Sequence, residues 1–410
     1  MTVLGTVLGT RLGTRLGTRF GQQQLVRRFR GAAAGMTLVM VAAACGGSDD
    51  PAADSAATTG VSATAPPRAA ATTVPRTSPE TTTPETTTPA TTAPATTSPE
   101  TTIPATTIPA TTAPPPGPAT IADLIASGNV LNIAHAGGDQ DYPHSTMYAY
   151  ARSVADGADI LEMDVWLTAD GEIIVQHDAD TQKTTEQTLV VADTDLATLQ
   201  TLDNAYWFSP ECWPCQDLPV ESYVFRGVRT GESPPPAGFG PDDFRIITLA
   251  ELSEAFPHMP FDIEIKPDGE AGAAVAQALA YELSRLGRLE SSVVVSFDSA
   301  TVAAFHEAAP DVATSPGLDE MAAWLLAGTP LADFHDVVQI PPMYDDIVVL
   351  RPETLQLAAD AGVAVWVWPN DASTQENQSF YESLVDMGVT GILAGRPAQA
   401  TAAIAAASAG

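Results

Sequence analysis

From residue 121 onward, short runs of aliphatic and β-branched residues alternate with longer Ala- and Leu-rich stretches whose apolar positions recur every three or four residues. The short runs predict strands at 131–135, 158–167, 172–177, 261–266, 292–297, 336–340, 363–368 and 391–395. The longer stretches predict helices at 146–156, 248–256, 271–286, 299–309, 319–327, 352–361 and 378–387. Strands followed by helices argue a mostly parallel sheet coated by helices. About eight strands over the 294 residues from Gly117 fit an α/β fold of the TIM (β/α)8 type. An open doubly wound sheet is the alternative, although no Gly-rich dinucleotide fingerprint follows the first strand.

The stretch 204–245 breaks this rhythm with Pro, Gly and aromatic residues, which predicts an ordered insertion near the barrel mouth. Upstream, residues 46–116 are Thr, Pro, Ala and Ser with recurring "PETT" and "PATT" units. With few apolar side chains to bury, this tract predicts a disordered stalk, with a glycosylated mucin-like tract as the alternative. Residues 1–45 place six arginines ahead of "GAAAGMTLVMVAAAC", an apolar run too short for a confident membrane span, which predicts an export signal. The segment "VAAACGG" resembles a bacterial lipobox, with Ala42 where leucine is usual, and implies a diacylglyceryl anchor on Cys45. A cleaved secretory signal is the alternative. The expected location is the extracytoplasmic face of the cell membrane, reached by export and held by lipid.

Export also bears on "ECWPCQD", where Cys212 and Cys215 are expected to form a local disulfide that staples the insertion. A redox or zinc pair is the alternative, but no second pair accompanies it. From Gly117 the domain carries ten Lys and Arg against 44 Asp and Glu, a formal balance of −34. A surface so acidic repels phosphate backbones, so no nucleic-acid partner is expected, and no feature points to a protein partner. The whole chain has two lysines, Lys183 and Lys266.

Candidate chemistry gathers in "LEMDVWLTADGEIIVQHD". With Asp170 and Gly171 as central turn residues, the hairpin sets Asp164 opposite His177 and Glu162 on the same face. In "FDIEIK" the same period of two places Asp262, Glu264 and Lys266 on one face. Unpaired charges inside a barrel are costly, and a hard cation accounts for them, Ca²⁺ or Mg²⁺ being suited to oxygen donors. A buried salt-bridge cluster around Lys266 is the plainer alternative. His135 ends the first strand ahead of Gly137 and Gly138, which are expected to let backbone approach a ligand, and pairs with His177 as a candidate acid/base couple.

The segments "IAHAGG", "GADILEMDVWLTADGEIIVQHD", "ITLAELSEAFPHMPFDIEIKP", "VVVSF", "VWVWPN" and "GVTGILAGRP" run in order over most of the domain. Together they resemble the glycerophosphodiester phosphodiesterase family, a β/α barrel of the phosphatidylinositol phospholipase C type. The resemblance implies His135 and His177 as the acid/base pair, Glu162, Asp164 and Glu264 as metal ligands, Lys266 as a phosphate contact, and Trp368 as a pocket wall. The family motif usually reads His-Arg-Gly, but this chain has Ala136; "PHST" stands for Pro-Glu-Asn-Thr, and "ILAGRP" lacks the acid usual before Arg396. Losing an arginine and a glutamate together preserves local charge balance, and His144 becomes a candidate replacement phosphate donor, either protonated or as a neutral ring.

The expected activity is metal-dependent hydrolysis of a glycerophosphodiester to sn-glycerol 3-phosphate and an alcohol. One alternative is phospholipase D-like or lysophospholipid head-group cleavage on the same barrel. Another is a non-catalytic lipoprotein that binds phosphodiesters.

Overall fold

The apolar runs become strands buried along most of their length, as a sheet requires when helices cover one side and side chains fill the other. In the computed structural model, which describes residues 117–408, the strands are β1 (Leu131–Ala134), β2 (Ile160–Leu167), β3 (Ile173–Val175), β4 (Phe261–Ile265), β5 (Ser292–Val295), β6 (Ala313–Thr314), β7 (Val337–Ile340), β8 (Met343–Tyr344), β9 (Ile347–Val348), β10 (Ala364–Val367) and β11 (Gly391–Ala394). The expected signal and Cys45, and the tract 46–116, lie outside the described residues.

Eight strands pair in parallel in the order β6-β5-β4-β2-β1-β11-β10-β7. The ends of that path meet at a seam, where Asp336 N–H donates to the Thr314 carbonyl at 3.2 Å and Gln339 N–H to Ser315 Oγ at 3.1 Å. The result is a nearly closed TIM barrel, as the strand and helix alternation predicts, rather than an open sheet. Strand β6 escapes sequence analysis because two residues show no period. The hairpin β8–β9 escapes for the same reason.

All seven expected helices form, together with Ile121–Ala126, Pro397–Ser408 and two single turns. Helix Gly269–Leu286 buries Gly272, Val275, Ala276, Leu279, Ala280 and Leu283, one face of a 3.6-residue period. It ends where Gly287 turns left-handed, its N–H reaching back to Leu283 and Ser284. Inside the barrel, Trp366 is fully buried with Ile133, Ile160, Val293, Val337 and Leu393. Gly391 makes room for it, since a Cβ there would lie 2.5 Å from the indole. Trp366 is therefore core.

The hairpin differs from expectation by one residue. Val165 faces Val175 and Leu167 faces Ile173, so Asp164 stands opposite Gln176 rather than His177. Thr168 N–H donates to the Glu172 carbonyl and encloses a three-residue loop, Ala169–Gly171, with Gly171 left-handed at φ 86°. A two-residue turn would have given the expected register. His177 instead lies just past β3.

The segment 204–245 has no strand of its own. Phe225, Phe239 and Phe244 pack around Tyr148, with ring centroids 4.7 to 5.0 Å apart. The Cys212–Cys215 disulfide is formed. Among the described residues no helix is long and apolar enough to cross a membrane.

Candidate active site

The in-register ladder between β2 and β4 sets Glu162 beside Asp262 and Asp164 beside Glu264. Alternation along each strand then keeps the four carboxylates on one face. Lys266, one residue past β4, places its ammonium 3.0 Å from Asp164 Oδ1 and 3.0 Å from Glu264 Oε2. Glu162 Oε2 accepts the Ala136 backbone N–H. The acids expected on two separate strands and the lysine are thus neighbours.

Burial and the neighbouring Asp164 push the Glu162 carboxyl well above its ordinary value, and His135 only partly offsets them. Burial would raise Asp164 too, but Lys266 and the two histidines hold it below the usual carboxylate range. Burial opposes charge on Lys266, yet Asp164 and Glu264 outweigh it and raise the ammonium. Asp262 is pushed up to about 7 by burial, although Gln339 Nε2 donates to both of its oxygens at 2.8 Å.

Among the described residues, no three His, Cys, Asp or Glu side chains are grouped closely enough to hold a metal ion as they stand. The Lys266 ammonium lies between two of the expected ligands. The donor set nevertheless suits a hard cation, being all carboxylate, and the buried Asp164 Oδ2 has no hydrogen-bond partner.

His135 and His177 reach this region from separate loops. Together with Ala136, Asp139, His144, Lys183 and Trp213 they line one cleft. His135 Nδ1 is 3.4 Å from Asp139 Oδ1. Burial lowers this imidazole, but Asp139, Glu162 and Asp164 outweigh it and raise it well above 6.5. His177 Nδ1 is 2.6 Å from Asp178 Oδ1, and that same carboxylate binds Lys183. The glycines after His135 allow close packing against the helix that follows. Both have positive φ, and a Cβ would meet Ala149 at 3.1 Å from Gly137 and Ser153 at 2.9 Å from Gly138.

His144 is buried, 4% exposed. Its Nδ1 is 2.8 Å from Ser145 Oγ and its ring meets Trp213 edge-to-face at 4.9 Å. Burial, then His177 and Lys183, lower it to about 4, which favours the neutral ring of the two expected forms. Trp368 lies apart from this cleft, at the carboxyl end of β10, where it meets Phe297 edge-to-face at 6.0 Å.

Four residues of the site were not singled out from sequence, and Lys183 was named only as one of the two lysines. Asp139 follows His135 by four positions and Asp178 adjoins His177, so both had a local signal. Lys183 and Trp213 reach the cleft from loops without period. Glu376 is buried beside Asp139 and accepts from Gly395 N–H at 3.0 Å and from the Tyr381 hydroxyl. Burial and Asp139 push its carboxyl up to about 7. Arg396 pairs with Asp141 of the first loop, which supplies an acid that the preceding residues lack.

Residues 135–399 match the model of the glycerophosphoryl diester phosphodiesterase family. A glycerophosphodiester phosphodiesterase of Bacillus subtilis is 25% identical over 68% of this chain and 88% of its own length. One from Caldanaerobacter subterraneus is 26% identical over 65% of this chain and 94% of its own. Among solved structures, an Oleispira antarctica phosphodiesterase in complex with the product sn-glycerol-3-phosphate superposes with a TM-score of 0.51 at 19% identity, covering 68% of this chain and 98% of that one. A Silicibacter pomeroyi protein superposes with a TM-score of 0.51 at 21% identity, covering 68% and 94%.

Proposed function

This chain belongs to the glycerophosphoryl diester phosphodiesterase family and is a phosphoric diester hydrolase, and we propose that it cleaves glycerophosphodiesters with His135 and His177 as its acid/base pair. The observation that carries the residue assignment is the shared cleft. Two imidazoles line it, each with Nδ1 facing a carboxylate of its own, beside a carboxylate cluster. The expected products are sn-glycerol 3-phosphate and an alcohol, in keeping with the curated relatives and with the ligand of the Oleispira structure.

His135, whose imidazole Asp139 raises, is the acid that donates a proton to the departing alcohol. His177, with Nδ1 on Asp178, uses Nε2 to take the proton of the attacking oxygen, which is water or the neighbouring glycerol hydroxyl. In the latter case a cyclic phosphate forms first and water then opens it. His144 contributes a neutral ring to the wall, and Trp368 with Phe297 offers an aromatic rim to the glycerol or head group.

Family members generally depend on a divalent metal. Here Glu162, Asp164 and Glu264 are the residues that would hold it, and Ca²⁺ or Mg²⁺ suits their oxygens. When bound, such an ion neutralises charge that builds on the phosphoryl group. Lys266, already between two of these acids, is the proposed contact to the phosphate beside it.

Export and a lipid anchor on Cys45 complete the proposal and rest on sequence alone. A lipid substrate is the second reading, favoured by the exposed Phe297, Met343 and Val348, which all follow carboxyl ends of barrel strands. A panel of soluble glycerophosphodiesters and lysophospholipid vesicles, assayed with EDTA and with Ca²⁺ or Mg²⁺ restored, tests the whole. Turnover of the soluble diesters, loss in EDTA and loss in His135→Ala are expected. Affinity without turnover would make the protein a binder.

A further inference from the structure

A phosphodiester brings negative charge into a domain whose acids outnumber its bases by 34, so a local cation must receive it. The described cations are mostly engaged elsewhere. Arg396 is paired with Asp141, Arg226 sits among the rings of Tyr206, Trp207 and Tyr223 at 4.1 to 4.5 Å, and Lys266, the phosphate contact proposed above, stands at the carboxylate cluster and does not line the histidine cleft. Beside His135, the residue that could have served is Ala136. Among the described residues that line the histidine cleft, Lys183 is the one Lys or Arg.

We propose that Lys183 binds the substrate phosphate and supplies the charge that Ala136 cannot. This rests on the phosphodiesterase reading above. The Lys183 ammonium contacts Asp178 Oδ1 at 3.0 Å and Oδ2 at 2.8 Å. An ammonium has three N–H donors, so one remains for a ligand oxygen. The same carboxylate takes Nδ1 of His177, leaving Nε2 toward substrate. Asp178 thereby orients both a proton acceptor and a phosphate donor. Its side chain and that of Lys183 are 32% and 23% exposed, shielded but within reach of solvent.

The insertion fixes where this lysine stands. Gln216, next to the disulfide, donates to the backbone carbonyls of Gln182 at 2.9 Å and Lys183 at 3.4 Å. Trp207 Nε1 donates to the Thr185 carbonyl at 2.9 Å. The segment that brings Trp213 against His144 therefore also braces the loop carrying the replacement cation.

The test is binding of sn-glycerol 3-phosphate by calorimetry to the full chain, wild type, K183M and K183R, alongside steady-state kinetics on a diester that the wild type turns over. K183M should raise the product Kd and the KM by about 10- to 100-fold, the loss of one charge-assisted hydrogen bond, with kcat within a few-fold and K183R close to wild type. A K183M product Kd within twofold of wild type overturns the proposal, whatever happens to kcat, because it leaves Lys183 only as support for Asp178 and His177. Should K183M fail to melt cooperatively, K183Q carries the same comparison. A wild type that binds the product through Lys183 yet turns over no diester sinks the enzymatic reading and leaves this one standing.

Discussion

The site has two halves built on different principles. Glu162, Asp164, Asp262 and Glu264 project from adjacent strands whose ladder fixes each carboxylate against its neighbour. His135, His144, Lys183 and Trp213 stand on loops, held by side-chain bonds to carbonyls and by ring contacts. The strand half concentrates like charge and relies on a cation to tolerate it. The loop half orients proton carriers and can be rebuilt one residue at a time, as Ala136 and His144 suggest.

The sharpest break in the strand half is Lys266→Met. It leaves Asp164 and Glu264 buried without their ammonium, and removing one partner of such a cluster costs about 3–5 kcal/mol. Melting should fall by roughly 10 °C for a domain of this size. Millimolar Ca²⁺ or Mg²⁺ should restore more of the melting temperature in the variant than it adds to wild type, since the ion would take over neutralisation of the acids. Melting unchanged by the substitution would mean that the acids are protonated or solvated, and the contrast between the halves would dissolve.

The same contrast explains what could be read from sequence. A period of two assigned Glu162, Asp164, Glu264 and Lys266 to faces, and parallel pairing of β2 with β4 did the rest. The hairpin slipped by one residue because "ADGE" accommodates both a two-residue turn and the observed three-residue loop. Lys183 meets Gln216 from 33 residues away, and Glu376 comes beside Asp139 from the loop after β10. No local pattern encodes such meetings, since they depend on how separate loops fold back over the barrel mouth. The aromatic insertion was legible as an interruption, but not as a wall of the site.

In the loop half, His144 offers a pH signature. Its ring is held near 4 by burial, below the ordinary 6.5, so the unfolded chain binds a proton more readily between those values. The stability this ring permits is therefore complete above about pH 6.5 and lost as pH falls toward 4, by roughly 3 kcal/mol. His144→Gln should flatten that part of the pH dependence, read as the difference between wild-type and variant unfolding free energies at pH 7 and pH 4.5. Parallel curves would place His144 in contact with water and remove it from the buried wall.

The gentlest perturbation separates function from stability most cleanly. Cys212 and Cys215 close a loop of only three residues' separation, so the disulfide constrains the unfolded chain little and its removal should lower stability by about 1–2 kcal/mol. Its position matters more than its contribution to folding. Trp213 sits between the two cysteines against His144, and Gln216 just beyond them holds Lys183. The double variant Cys212→Ser, Cys215→Ser should therefore melt within a few degrees of wild type yet lose about 10-fold in kcat/KM, while metal rescue in the Lys266→Met background stays as before. If kcat/KM and melting temperature fell together in proportion, the insertion would be a structural prop for the barrel. Loss of activity at nearly constant stability instead makes the staple a device for holding the loop half in register with strands that need no such help.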